Sequence, residues 1–134
     1  MSSRLLLLTF AIITAISGSS ALAQGAVYHK VVNRGQNVSL GFYVSVNPDC
    51  TSRGYATVAV LNPPQGGQVL STHGSDFATF VAANPRAACN RRRLQGTKVW
   101  YKANASFVGT DSFPLQIVTA NGDVANFNML IEVR

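Results

Sequence analysis

The residues best suited to chemistry lie in the stretch FVGTDSF, residues 107–113, where Asp111 stands between two hydroxyl side chains. Such a carboxylate can act as a general base or bind calcium. General acid-base catalysis needs a positioned partner group, and calcium takes about six to eight oxygen ligands. The other acids show no D-x-D or related grouping: Asp49, Asp76, Asp123 and Glu132. We therefore predict a structural corner, with Gly109 in a tight turn and Asp111 accepting backbone amide hydrogen bonds.

Other reactive residue types are sparse in this chain. His29 and His73 have no His, Cys or Asp neighbour at the spacing of metal ligands. A blue-copper site needs a histidine close after its cysteine, and none follows Cys89. The G-x-S-x-G, H-E-x-x-H and paired-carboxylate patterns are also missing from the sequence. We therefore predict no catalytic residue, no metal site and no cofactor, and a protein that is not an enzyme.

A group of cations around the one tryptophan is the best candidate for binding. Residues 77–110 contain no acid, and if Val99 and Tyr101 face the core, Trp100 points outward. An exposed tryptophan beside cations can stack on a sugar or base while the cations hold phosphate or carboxylate. Alternatively, the neighbouring loop folds over Trp100 and the arginines only keep the domain soluble. The candidate anion-binding residues are Arg91, Arg92, Arg93, Lys98, Trp100 and Lys102.

Strands must position these residues, because apolar residues recur at every second position along the chain. In the stretch Asn37–Val46 the apolar residues alternate with polar or small ones, which predicts a strand with one buried face carrying Val38, Leu40, Phe42, Val44 and Val46. The dipeptide Asn121-Gly122 predicts a hairpin between the last two strands. Other strands are predicted at Val27–Val32, Ala56–Leu61, Gln68–Ser71, Phe77–Val81, Lys98–Lys102, 113–117 and 126–133.

Seven or eight short strands in one small chain predict an all-β fold, a two-sheet antiparallel sandwich of the immunoglobulin-like type. Ala82–Gln95 is aperiodic and rich in arginine, so we expect a long loop there. Cys50 and Cys89 are the two cysteines, and in an exported chain we expect them to form one disulfide. That bond would close a loop of about 40 residues and contribute about 4 kcal/mol in the chain-entropy treatment.

The first residues predict export. A basic start and an apolar run, Leu5–Ile16, precede the segment Ala21-Leu22-Ala23, which has the pattern of a signal peptide cleaved after Ala23. Residues 24–134 then form a single domain without a transmembrane anchor. Without Arg4, ten Lys and Arg face five Asp and Glu, so the net charge is about +5.

One segment resembles a known family. Residues 101–113 are similar to the Y-x-P-x-x-x-F-x-G-x-D-S-F signature of bacterial immunoglobulin-like and cadherin-like domains, and Pro63–Val69 is similar to their P-x-x-G-x-V hairpin. The likeness covers roughly Gly35 to Val133. Ala103 replaces the usual proline, and Pro114 stands at a strand position where only an edge-facing or first residue tolerates it.

The resemblance implies a fold and a broad role. We expect an exported immunoglobulin-like module, in the periplasm or outside the cell, with a structural or protein-interaction role in the bacterial cell envelope. Its partner would be an envelope protein. The alternative is a binder of anionic envelope material, such as lipopolysaccharide, acidic polysaccharide or nucleic acid, through the basic surface around Trp100.

Overall fold

The fold is known from a computed structural model that describes residues 26–134; the predicted signal peptide, residues 1–23, lies outside them. Eight strands and one short 3₁₀ helix, Ala87–Arg91, make up the described chain. The prediction of an all-β fold with seven or eight strands is therefore confirmed. The strands are β1 Ala26–Val32, β2 Asn37–Val46, β3 Ser52–Tyr55, β4 Thr57–Val60, β5 Gly67–Phe77, β6 Arg93–Ala103, β7 Gly109–Val118 and β8 Val124–Val133.

The strands form two sheets of four that pack as a sandwich. Sheet 1 has the order β1-β8-β7-β4, and sheet 2 has the order β3-β2-β6-β5. The β1–β8 pair is parallel, whereas the other pairs are antiparallel. The sequence did not predict this parallel pair. It arises because β1 joins the edge of sheet 1 beside the last strand, while the next strand in sequence, β2, enters the other sheet.

The main core lies between the two sheets. Alternate residues of β6, β7 and β8 point into it, and the rings of Tyr101 and Phe113 stack with their centroids 5.7 Å apart. Burying a large apolar side chain contributes roughly 1.5–3 kcal/mol, so this cluster dominates the stability of the sandwich. The buried members are Val32, Leu40, Ala56, Val99, Tyr101, Ala103, Phe113, Leu115, Ile117, Met129, Ile131 and Val133.

The prediction that β2 has one continuous buried face is wrong in its second half. The pairing with β6 shifts register between Ser39 and Gly41, which marks a β-bulge at Leu40. Beyond the bulge Tyr43 faces sheet 1, where its ring lies 5.9 Å from that of Phe127. Phe42, Val44 and Val46 consequently point to the outer face of sheet 2, away from sheet 1.

A second buried cluster covers that end of the outer face. It contains Val46, Ala78, Cys89 and Leu94, with residues 78–92 crossing over the sheet to form it. Of the predicted strand Phe77–Val81, only Phe77 is in a strand, since the chain leaves the sheet to make this crossing. The predicted loop Ala82–Gln95 is likewise too long, because residues 87–91 form the 3₁₀ helix and β6 already begins at Arg93.

The predicted disulfide is confirmed, with Cys50 and Cys89 joined at an S–S distance of 2.05 Å. It ties the start of β3 to the 3₁₀ helix. Cys89 is fully buried within the second cluster, so the bond anchors the crossing segment against the outer face of sheet 2.

Pro114 lies inside β7, between β8 and β4. Its carbonyl accepts a hydrogen bond from the amide of Leu61 at 3.2 Å, so its backbone faces the side of β4. Because β4 ends at Val60, the missing amide of Pro114 lies just beyond the last β4 pairing. The proline therefore has the edge-facing environment that its chemistry requires.

Replacing both cysteines by alanine should lower the free energy of unfolding by about 4 kcal/mol, because the unfolded chain regains the loop entropy that the bond removes. Urea unfolding of the double variant measures this loss. Reduced wild-type protein provides the matched control and should show the same midpoint as the variant. An unchanged midpoint after reduction would contradict the account.

Candidate functional site

The Asp111 carboxylate connects three parts of the fold. It is 3% exposed and accepts hydrogen bonds from the amides of Gln65 and Gly66, at 3.0 and 2.8 Å, and from the Tyr101 hydroxyl at 2.7 Å. Bonds to a charged acceptor contribute about 1.5–3 kcal/mol each. Asp111 thus fastens the loop between β4 and β5 to β6 and β7, and these three donors all belong to the fold.

The end of the loop that Asp111 binds has no room for a side chain at Gly66 or Gly67. A Cβ atom on Gly66 would collide with the ring of Phe107, and one on Gly67 would collide with the carbonyl of Lys102. Gly109 opens β7 with φ of +129°, a conformation that favours glycine. The two motifs found in the sequence, FVGTDSF and PPQGG, therefore pack against each other.

Burial, together with the hydrogen bond to Asp111, raises the pKa of the Tyr101 hydroxyl above its ordinary value. The neutral phenol donates to the carboxylate, whereas a phenolate there would face a second negative charge in a buried position. Burial also raises the pKa of Tyr43. Both groups keep their protons longer in the folded protein than in the unfolded chain.

Trp100 points outward from sheet 2, as the alternation along β6 predicts. Its neighbours in β6, Val99 and Tyr101, are buried in the core, so Trp100 is on the opposite face together with Lys98 and Lys102. The tryptophan is half-buried. Across the sheet it stands between Ser39 of β2 and Leu70 of β5.

The two lysines beside Trp100 differ in their partners. Lys98 forms an ion pair with Asp76 at 3.1 Å, and its ammonium lies 6.0 Å from the centre of the Phe42 ring. Lys102 is exposed, and its ammonium group has no hydrogen bond or ion pair within residues 26–134. Only Lys102 therefore offers an unneutralised charge beside Trp100.

The three arginines of the predicted anion-binding group lie elsewhere. Arg93 is on the opposite face of β6 from Trp100 and about 23 Å away along the strand. Its guanidinium donates to the carbonyl of Ser75 at 2.9 Å and lies 5.6 Å from the centre of the Phe77 ring. Arg91 and Arg92 are exposed at the end of the 3₁₀ helix. The structure thus divides the predicted group into two separate sets.

Strand β5 is an edge of sheet 2 with unpaired backbone groups. The carbonyl of Gly66 accepts from the amide of Asn104 at 2.9 Å, and the register with β6 then continues without a shift to Phe77. In an antiparallel ladder, bonded and non-bonded pairs alternate. Even-numbered residues of β5 therefore bond to β6, while odd-numbered residues direct their N–H and C=O groups outward.

Side chains cap the far end of this edge. The carbonyl of Ser75 receives the Arg93 guanidinium, and the amide of Phe77 donates to the carboxylate of Asp76 at 2.9 Å. The outward groups of Val69, Ser71 and His73 have no hydrogen-bond partner in the described part of the chain. Together with Gly67 at the start of the strand, these three residues form the open part of the edge.

The other edge strands are better protected. β3 and β4 have four residues each, and β1 carries Lys30. β5 has eleven residues, no Pro, Lys or Arg, and no bulge, and its one acid, Asp76, is already paired. Proteins usually block exposed edges by short length, charge, proline or bulges. β5 lacks these features along Val69–His73, so it is the edge best able to accept another strand.

No group of three or more His, Cys, Asp or Glu that could hold a metal occurs within 26–134, and no helix there is long and apolar enough to span a membrane. A groove of about 370 Å³ beside β2 is lined by apolar residues, aromatic rings and two threonines, with no acid, histidine, lysine or arginine. The groove therefore offers an apolar surface for binding, but its lining provides no pair of groups for acid-base catalysis.

Comparisons with known proteins give no relative. The chain matches no protein-family model, no curated protein and no solved structure. The geometry of the chain itself must therefore support any functional assignment.

The stability of the protein should fall as pH rises above about 10, the pKa of an unfolded tyrosine, because the unfolded chain then releases protons that the fold retains. Tyr101→Phe should make this decline shallower and lower the free energy of unfolding at neutral pH by about 2 kcal/mol. Urea unfolding across this pH range tests both effects. Tyr55→Phe, at an exposed position, is the control. Equal slopes for wild type and Tyr101→Phe would contradict the assignment.

Proposed function

We propose that the protein is a non-enzymatic interaction module of the bacterial cell envelope, which binds an extended segment of another protein as an additional strand beside β5. The observation that carries this proposal is the row of outward backbone groups at Val69, Ser71 and His73. Strand addition is a common mode of peptide recognition, in which main-chain bonds give affinity and alternate side chains give specificity.

The expected affinity is modest. Each backbone hydrogen bond contributes about 0.5–1.5 kcal/mol net, and the partner segment loses conformational freedom when it is ordered. Main-chain bonds at three residues therefore do not suffice for tight binding. Side-chain contacts with the outer face of sheet 2 must supply the remaining free energy.

The envelope role is supported by the predicted signal peptide and by the resemblance of residues 101–113 to bacterial immunoglobulin-like domains. The packed corner around Asp111 supports a scaffold role for that motif, since its carboxylate is occupied by three donors of the fold. An exported β-sandwich in which the Asp111 carboxylate stabilises the fold, and is not free for catalysis, is consistent with a binding module.

Binding of an anionic polymer has less geometric support. It would need several free cations on one surface, and the structure places Arg93 and Trp100 on opposite faces of β6. Lys98 is already neutralised by Asp76. If an anionic polymer were the physiological ligand, replacing Arg91, Arg92 and Arg93 together by alanine would abolish a steeply salt-dependent retention on heparin.

Ser71→Pro should abolish partner binding while leaving the fold intact. The Ser71 amide points away from β6, so proline costs no ladder bond but removes an outward donor and blocks strand addition. Ser71→Ala is the matched control and should bind as wild type does. Crosslinking of the tagged mature protein in the envelope fraction, with circular dichroism of each variant, measures both properties.

Thr72→Pro serves as the second control, because the amide of Thr72 faces β6. It should destabilise the protein by about 3 kcal/mol or more, which would verify the assignment of inward and outward amides. A Ser71→Pro protein that folds and still captures the same crosslinked partner would overturn the proposal for β5.

A further inference from the structure

The outer face beside β5 has a defined side-chain pattern. Because β6 and β5 pair in continuous register, Lys102 stands beside Gln68, Trp100 beside Leu70, and Lys98 beside Thr72. All six side chains belong to the outer face. Each of these three cross-strand pairs forms a row across the sheet, and an added strand would extend each row by one residue.

The central row is apolar. Leu70 is 39% exposed and is flanked by the half-buried Trp100. Since the even residues of β5 bond to β6, a new residue opposite Leu70 would occupy a non-hydrogen-bonded position, where the Cα atoms are about 4.5 Å apart and side chains are closest. An apolar side chain there would cover the exposed part of Leu70.

The positive charge of Lys102 favours a negatively charged partner residue opposite Gln68. Two strand spacings place a residue opposite Gln68 about 10 Å from the backbone of Lys102, a gap that a lysine and a glutamate side chain can bridge together. Lys98, at the other end, is held by Asp76. A carboxylate on the new strand is therefore attracted more strongly at the end beside Lys102 than at the end beside Lys98.

The rest of the molecule favours an acidic partner. Among the described acids, Asp111 is buried, Asp76 pairs with Lys98, and Glu132 pairs with Arg134. Asp49, which accepts from the amide and hydroxyl of Thr51, and the exposed Asp123 keep their negative charge, but the lysines and arginines without an ion pair outnumber these two. The unneutralised charge is thus mainly positive, and it attracts acidic segments during encounter.

A second copy of this chain fits the edge less well. If two copies of β5 paired in antiparallel orientation about Ser71, residues at equal distances on either side of Ser71 would face each other. Thr72 would then lie opposite Leu70, and Gly74 opposite Gln68. No carboxylate would then lie beside Lys102; pairing centred on Thr72 would place Asp76 opposite Gln68, but the Asp76 carboxylate is already held by Lys98. The copy would also carry the same positive charge, so we favour a different chain.

We propose that the segment accepted by β5 carries an apolar residue opposite Leu70 and an acidic residue two positions later, opposite Gln68, where Lys102 binds its carboxylate. This inference rests on the proposed function, because it requires strand addition at β5. It specifies the class of partner as an extended acidic segment with alternating side chains.

The test uses two capped peptides, Thr-Thr-Thr-Leu-Thr-Glu-Thr and the same peptide with Lys in place of Glu. Run antiparallel to β5, their Leu falls opposite Leu70 and their Glu or Lys opposite Gln68. Binding to the mature protein is followed by amide NMR shifts at Val69–His73 and by the fluorescence of Trp100, the one tryptophan of the chain. The Glu peptide should bind about fivefold more tightly at low salt.

Lys102→Glu should reverse this preference, so that the Lys peptide binds more tightly. Lys30→Glu, on β1 of the other sheet, changes the net charge equally and should leave the preference as in wild type. Equal binding of both peptides to wild type and Lys102→Glu would overturn the charge assignment while leaving strand addition intact. If neither peptide shifts the β5 amides at millimolar concentration, strand addition itself fails. Shifts that depend on protein concentration alone would favour a second copy instead.

Discussion

The buried carboxylate of Asp111 is the constraint on which the rest of the structure depends. It holds the amides of Gln65 and Gly66 at the point where the chain leaves sheet 1 and enters sheet 2. This contact, together with the Tyr101 hydroxyl, sets where β5 begins and hence its register against β6. The register in turn decides which backbone groups of β5 point outward. A residue that looks catalytic in the sequence therefore acts on function through the position of an edge strand.

The outer face of sheet 2 has two regions: one is covered and stabilises the fold, and the other is accessible for binding. At one end the disulfide holds residues 78–92 over Val46 and Leu94, which shields that part of the sheet. At the other end Trp100, Leu70 and Lys102 remain accessible beside the open edge. The capped groups of Ser75 and Phe77 mark the boundary between the two regions. A partner strand is thereby confined to the first two thirds of β5.

The sequence predicted the sandwich, the span of β2, the disulfide and the hairpin at Asn121-Gly122, because each depends on local alternation, turn chemistry or cysteine count. It could not reveal the bulge at Leu40, since apolar residues continue to alternate through it. β3 was missed because SRGY has no apolar alternation, and the polar second half of β5 is a strand only because β6 pairs with it. The separation of Arg93 from Trp100 has a related cause: the sequence pattern predicts a loop at Arg93, and a loop does not define which face of the sheet a side chain occupies.

Along Val69–His73, every second residue has open backbone N–H and C=O groups in the isolated protein. Amide hydrogen exchange, read by NMR residue by residue at low protein concentration, tests it most directly. The account predicts alternation: fast exchange at Val69, Ser71 and His73, and slow exchange at Leu70 and Thr72. Uniform protection across these five amides would show that something already covers the edge, and would contradict the account.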